Sequence, residues 1–231
     1  MSSKVAAYWS TVGQKIFMAL TGLAMVGFLV EHLVGNLLLL LAASEPYNTY
    51  AHALLSLGWL LVPAELVLIA FLLVHMLAGV QVTLSQRRAR PQAYRVFKSA
   101  GAPSRKTLAS STMIISGLAL FVFLAVHLYT FKYGPGIEQG YVAEIEGETA
   151  RDLYRLVQEK FRDPLYVLGY SLVMILLGLH LRHGFWSAFQ SLGATHPRYS
   201  GLISTLGLLV SILLGAGFLI IPAWMYLREL L

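Results

Sequence analysis

Five long apolar stretches, separated by polar connections, dominate the pattern of the chain. They cover residues 15–41, 60–86, 107–131, 164–190 and 202–227. An α-helix needs about 20 residues to cross the hydrocarbon core of a bilayer, and each stretch exceeds that length. The pattern predicts an all-α, multi-pass membrane protein with five transmembrane helices, organised as a single domain over residues 1–231.

The connection after the third apolar stretch has a different pattern. Apolar residues recur there at helical spacing between charged ones, at Ala150, Leu153, Tyr154, Val157 and Phe161. This spacing predicts a short amphipathic helix over residues 148–162, lying on the membrane surface or capping the helix bundle.

Charged residues are distributed unevenly between the connections. Residues 86–106 hold seven Lys and Arg and no acid, whereas residues 132–163 hold seven acids against five bases. Because loops rich in Lys and Arg stay in the cytoplasm, we expect a cytoplasmic N-terminus and an external connection at residues 132–163. The net charge of +6 then reflects topology and not a nucleic-acid-binding surface.

Four of the apolar stretches contain a histidine, and the spacing around these histidines repeats. The repeated spacings are Gly22 to His32 and Gly117 to His127, ten residues each, and His75 to Gly79 and His180 to Gly184, four residues each. An imidazole is costly in lipid, so a histidine within a membrane span indicates a functional site.

The depth of each histidine predicts which ones pair. With the N-terminus inside, His32 and His127 lie toward the outer ends of their spans. His75 and His180 lie toward the inner ends of theirs. Histidines of equal depth then form two facing pairs, and a six-coordinate haem iron needs such a pair. The sequence predicts a four-helix bundle around two stacked b haems, with the irons on the order of 15 Å apart along the membrane normal.

Other roles for the four histidines stay open at the level of the residues. A buried imidazole also serves as a hydrogen-bonded core residue or as part of a proton relay. The chain contains no cysteine, which excludes iron–sulfur ligation and covalent haem attachment within it.

The four glycines of the repeat are candidates for contact with a haem. A flat macrocycle wedged between helices needs backbone surface without side chains, and Gly22, Gly117, Gly79 and Gly184 provide such surface. Gly22 and Gly117 lie about 15 Å nearer the inner side than the histidines of their own spans, and therefore at the depth of the inner haem. The alternative is ordinary helix packing, in which small residues are common.

The other three histidines are not predicted as haem ligands. His52 and His196 fall in connections, where we expect them to be solvated. His183 follows His180 by three residues and competes with it as a ligand, but the glycine spacing favours His180. His183 is then expected near the metal ligand or at the inner surface.

Several motifs resemble those of the five-helix (type B) cytochrome b membrane-anchor subunit of succinate:quinone oxidoreductases and fumarate reductases. They are Gly13-Gln14-Lys15, Met18-Ala19-Leu20-Thr21-Gly22-Leu23, His32-Leu33, Gly35-Asn36-Leu37, Tyr50-Ala51-His52 and the run from His180 to Gly193. The resemblance covers essentially the whole chain, with a histidine in each of the first four spans.

This resemblance implies a function. The subunit would bind two b haems and a quinone, often menaquinone, in the inner (plasma) membrane of the cell. Succinate would be oxidised in the tricarboxylic acid cycle on FAD in a flavoprotein subunit, with electrons passing through an iron–sulfur subunit on the cytoplasmic side. Position by position, His32 and His127 would ligate the distal haem, and His75 and His180 the proximal one.

Two acids within the spans are candidates for proton exchange with a quinone, Glu31 and Glu65. The alternative for each is a carboxylic acid kept neutral by a hydrogen bond. Some relatives carry a glutamate just before the histidine of the fourth span, where this chain has Gly178 and Leu179, so no transmembrane proton path is assigned.

Two other functions are compatible with paired histidines on apolar helices. One is a cytochrome b anchor of another oxidoreductase, such as a hydrogenase or a formate dehydrogenase. The other is a transporter in which the histidines form a relay. The motif set favours the succinate:quinone oxidoreductase, in which several complexes can associate into a higher oligomer.

Overall fold

Helices form almost all of the chain that a computed structural model describes, namely residues 10–41, 43–89, 110, 112–194 and 196–231. In chain order the helices are α1 (Thr11–Asn36), α2 (Glu45–Ser56), α3 (Leu61–Arg88), α4 (Met113–His127), α5 (Leu153–Phe161), α6 (Pro164–Ser191) and α7 (Pro197–Leu230). The helices α1, α3, α4, α6 and α7 are, with their short helical extensions, long and apolar enough to cross a membrane. The prediction of a helical, multi-pass membrane protein is therefore confirmed.

The limits of the spans follow from local sequence. Pro164 begins α6, where its missing N–H costs nothing, and Asp163 accepts a hydrogen bond from the amide of Leu165 at 2.9 Å. Gly193 follows the end of α6 with φ 81°, the left-handed conformation that ends many helices. The predicted beginning of the third span, at 107, lies outside the described residues, as does most of the basic connection 86–106.

A five-residue π-helical turn, Leu128–Lys132, directly follows His127. Such turns are rare and frequently occur at functional sites. The wider turn carries Thr130, Phe131 and Lys132, and each of these makes a contact described below.

The chain divides into two compact units. The first comprises residues 1–26, 68–118 and 179–211, and the second comprises residues 27–67, 119–178 and 212–231. The first contains His75 and His180, and the second contains His32 and His127. Each histidine pair is described within its own unit.

In the second unit, α6 and α7 approach closely at two glycines. A Cβ on Gly215 would lie 3.1 Å from the Cα of Gly178, closer than most real Cβ contacts. Small residues allow such backbone approach where lipid supplies no hydrophobic driving force between helices.

The connection between the third and fourth spans has more structure than predicted. Strands β1 (Val142–Ile145) and β2 (Glu148–Arg151) form an antiparallel hairpin, and α5 begins only at Leu153. The predicted helix over 148–162 is therefore wrong in its first five residues. Asp152 ends the strand region and caps α5 by accepting a hydrogen bond from the amide of Arg155 at 3.0 Å.

The connection between the first two spans also folds. The helix α2 occupies it, with Asn48 only 1% exposed. The side chain of Asn48 donates to Asp152 Oδ1 at 2.8 Å and accepts from the amide of Tyr154 at 2.9 Å. One buried amide thus joins α2 to α5 and to Asp152, the residue that connects the hairpin to α5.

Candidate functional site

The first unit brings His75 of α3 and His180 of α6 together. Their ring centroids lie 6.3 Å apart, with an angle of 60° between the ring planes. Both side chains are half-buried, on helices composed mainly of apolar residues. These are two of the histidines that equal depth predicted to pair.

The Nδ1 atom of each ring in this pair already has a polar partner. His75 Nδ1 lies 3.0 Å from the carbonyl oxygen of Met18, and His180 Nδ1 lies 3.1 Å from Oγ of Ser116. Ser116 Oγ in turn donates to the carbonyl of Met113 at 3.1 Å, so it accepts from the imidazole. Both contacts fix the tautomer with the proton on Nδ1, which leaves Nε2 as the free ligand atom.

Two of the predicted glycines contact this same pair. A Cβ at Gly22 would lie 3.0 Å from Cε1 of His75, and one at Gly117 would lie 3.5 Å from Cε1 of His180. The two glycines therefore allow α1 and α4 to approach the imidazoles. The sequence predicted that Gly22 and Gly117 lie at the same depth as His75 and His180, and both glycines lie beside that pair.

The other two predicted glycines have more open surroundings. A Cβ at Gly79 would come no nearer than 3.7 Å to the sulfur of Met18. Among the described residues, nothing lies within 4 Å of a Cβ built at Gly184. Their contact with a haem stays a prediction.

The second unit brings His32 of α1 and His127 of α4 together. Their ring centroids lie 5.8 Å apart, with the planes nearly perpendicular at 82°. Aromatic rings surround this pair: Phe28 stacks on His32, Phe218 of α7 lies 5.8 Å from the same ring, and Phe123 and Phe131 flank His127 at 5.6 and 5.4 Å. The Nδ1 atom of His127 lies 3.4 Å from the hydroxyl of Tyr170.

The spacing within each pair fits two axial ligands of one metal. Metal–imidazole bonds are about 2 Å long, so the two coordinating nitrogens would lie about 4 Å apart and the ring centroids, one ring radius further out on each side, about 6 Å apart. The observed centroid distances of 5.8 and 6.3 Å fall at this spacing. With Nδ1 of His75, His180 and His127 each near a polar partner, and with glycines beside one pair, the residues fit two haems held by histidine alone.

A metal site of another kind has no counterpart in the described part of the chain. No group of three or more His, Asp or Glu side chains converges there. Each histidine pair is smaller than such a group, and a haem iron takes its other four ligands from the macrocycle.

The two candidate acids differ in their surroundings. Glu31 is exposed beside His32. Glu65 of α3 pairs with Lys132 of the π-helical turn, and both side chains remain about one-third exposed. The partner of the Glu65 carboxyl group in this structure is therefore a lysine ammonium group.

The other three histidines belong to neither pair, and His183 lies about one helical turn beyond His180 on α6. His183 is half-buried on α6, His196 is exposed as expected, and His52 is half-buried with Nε2 3.4 Å from Glu148 of β2. His52, which was expected to be solvated, is therefore partly covered, and 30% of its side chain remains exposed.

Sequence reasoning missed three residues that contact the predicted ligands or acids: Ser116, Tyr170 and Lys132. The repeat could have pointed to Ser116. It occupies the same position as Thr21, one residue before the glycine, so both positions carry a hydroxyl. Tyr170 and Lys132 lie outside the repeated motifs, and their contacts depend on how the helices pack.

The chain matches no known protein-family model, no curated protein and no solved structure. The family resemblance carried by the motifs therefore stays a prediction.

Proposed function

We propose that this chain is the dihaem cytochrome b membrane anchor of a succinate:quinone oxidoreductase. The observation that carries the proposal is the presence, on four apolar helices, of two imidazole pairs with centroids 6.3 and 5.8 Å apart. When bound, two b haems supply one-electron carriers within the membrane. The choice of succinate comes from the motif resemblance alone.

The residues of the chain would hold and orient these groups. The Met18 carbonyl and Ser116 Oγ fix the ring orientation of His75 and His180, and such outer contacts also raise the basicity of a metal-bound imidazole. The phenylalanines around the His32–His127 pair exclude water. Low polarity around a haem influences its reduction potential.

The proposed electron donors are an iron–sulfur subunit and a flavoprotein subunit with FAD, docked on the cytoplasmic side. This chain has no cysteine with which to hold a cluster of its own. Arg87 and Arg88, exposed in the last turn of α3, begin the basic connection that suits an acidic partner surface. The other five basic residues of that connection lie outside the described residues.

The proposed acceptor is a membrane quinone, with menaquinone as the expected one. Reduction of a quinone consumes two protons along with two electrons, so its site needs groups that exchange protons. Glu65 with its partner Lys132, and Glu31 beside His32, are the candidates within the second unit.

Purification from the native membrane in mild detergent tests the proposal. A pyridine haemochrome spectrum should give two b haems per chain, and a flavoprotein and an iron–sulfur protein should co-purify. The preparation should reduce a quinone with succinate and not with hydrogen or formate. A preparation without haem would contradict the cytochrome assignment and favour a histidine relay, whereas two haems with hydrogen or formate activity would identify a different oxidoreductase.

A further inference from the structure

Tyr170 of α6 lies inside a cluster of aromatic rings next to His127. The side chain is 8% exposed. Its ring makes edge contacts with Phe123 at 4.8 Å and with Phe161 at 5.1 Å, and it stacks on Tyr166 at 4.9 Å. A hydroxyl buried among such rings is stabilised only if it finds polar partners.

The polar partners of Tyr170 form a chain of hydroxyl groups. Tyr166 donates its proton to Oγ1 of Thr130 at 2.7 Å. The hydroxyl of Tyr166 is a near neighbour of the Tyr170 hydroxyl, and because the proton of Tyr166 is already used, its oxygen is available to Tyr170 as an acceptor. If Nε2 of His127 binds the metal, the ring proton is on Nδ1, and the oxygen of Tyr170 accepts it at 3.4 Å.

The chain is oriented at its far end by the π-helical turn. Thr130, which is 9% exposed, lies within that turn, three residues after His127. The turn therefore carries Thr130, the last hydroxyl of the series. His127, which contacts Tyr170 at the other end of the series, directly precedes the same turn. An α-helical continuation would rotate Thr130 to a different position.

We propose that Tyr170 is a positioning residue that fixes the imidazole of His127 and sets the reduction potential of the haem held by the His32–His127 pair. The inference rests on the proposed function. An acceptor at Nδ1 makes an imidazole a stronger donor to iron and stabilises the oxidised state, which lowers the potential. Each hydroxyl that donates into the chain polarises the next one, so Tyr166 contributes through Tyr170.

The other histidine pair uses different acceptors for the same purpose. His75 Nδ1 contacts a backbone carbonyl, and His180 Nδ1 contacts the serine hydroxyl of Ser116. A side-chain acceptor can be removed by mutation, so Tyr170 and Ser116 provide matched probes, one for each haem.

Redox titration of the purified complex, followed optically, tests the proposal. Tyr170→Phe keeps the ring and its packing but removes the acceptor. We expect a positive shift in the midpoint potential of one haem only, and the same haem should respond when His32 is replaced. Ser116→Ala should shift the other haem, and Tyr166→Phe should shift the first in the same direction by less.

Unchanged potentials in both the Tyr170→Phe and Tyr166→Phe complexes would overturn the inference while leaving the proposed function intact. Equal shifts of both haems in Tyr170→Phe would overturn it as well, since the effect would not act through His127. Should Tyr170→Phe fail to assemble, Tyr166→Phe alone decides, because it keeps Tyr170 in place. A wild-type protein without haem would overturn the proposed function and this inference together.

Discussion

Gly22 and Gly117 occupy equivalent positions in the repeat, but their distances to the facing imidazoles differ. A Cβ would lie 3.0 Å from His75 at the first position and 3.5 Å from His180 at the second. The first distance requires a neighbour to move, and the second is an ordinary contact. An added methyl group should therefore be tolerated less well at Gly22 than at Gly117.

Gly22→Ala should weaken retention of the haem held by His75 and His180. Overpacking costs about 1–3 kcal/mol, which corresponds to a loss of roughly 5–150-fold in affinity. Gly117→Ala is the matched variant with the longer contact distance to the imidazole and should lose less haem than Gly22→Ala. The haem-to-protein ratio after purification measures both variants, and equal losses would contradict the difference in contact distances.

Replacing either histidine of a pair should remove the same single haem. His32→Ala and His127→Ala are expected to lose the same haem, and His75→Ala and His180→Ala the other one, because one remaining imidazole holds the macrocycle weakly. His183→Ala should keep both. Redox titration and haem content identify which haem is lost. Loss of one and the same haem in the His32 and His75 variants would contradict the pairing.

The pairing of the histidines was predictable from the sequence, but their hydrogen-bond partners were not. Repeated spacing places residues of one type at equal depth on successive spans, and depth alone selects the pairs. The partners of His180 and His127 are 64 and 43 residues away in the chain. Which side chain contacts Nδ1 depends on how each helix is rotated about its axis. The spans are apolar on both their lipid-facing and their inward faces, so the sequence has little periodicity from which that rotation could be predicted.

At the scale of elements, the hairpin shows why one predicted boundary was wrong. The two residues of its turn, Glu146 and Gly147, have φ of 53° and 83°, as in the type I′ turns that favour Asn-Gly or Asp-Gly. Glutamate is uncommon there, so the usual sequence pattern for a hairpin is absent. Ala150 is 3% exposed on β2, and its three-residue spacing to Leu153 of α5 imitated a helix.

Asn48→Ala should destabilise the region formed by α2, the hairpin and α5. The substitution leaves the amide of Tyr154 buried without its acceptor, which costs about 1–3 kcal/mol. Faster limited proteolysis within residues 133–163 would report the effect. Ser56→Ala is the control, since that hydroxyl is exposed and its hydrogen bond among the described residues goes to the Ala53 carbonyl in its own helix. An unaltered cleavage rate in Asn48→Ala would show that the buried amide is not what holds these elements together.

At the scale of the whole molecule, the described residues contain five helices that are long and apolar enough to cross a membrane. If all five cross it, the connections between them alternate between its two sides. Composition and run length sufficed to predict the spans, because about 20 apolar residues have few other uses. Orientation is a finer prediction that depends on the distribution of Lys and Arg.

The absence of cysteine from the sequence makes this orientation directly measurable. Glu144→Cys introduces an exposed thiol on β1, between the third and fourth spans, and Ala194→Cys introduces one between the fourth and fifth. The test uses cells whose span-bearing membrane is intact and from which any outer permeability barrier has been removed. With a cytoplasmic N-terminus, a membrane-impermeant maleimide added to these cells should label Glu144→Cys alone. Ala194→Cys should react only after the membrane is opened, and the wild type should never react.

Each result of the labelling experiment has a distinct meaning because the two connections are separated by one span. Labelling of Ala194→Cys alone would reverse the orientation and move the proposed docking surface for the iron–sulfur subunit to the opposite side. Labelling of both variants in intact cells would contradict the crossing by α6. Since Glu144 is exposed on the hairpin and Ala194 follows the end of α6, neither substitution touches the histidine pairs, and both variants should keep their haems.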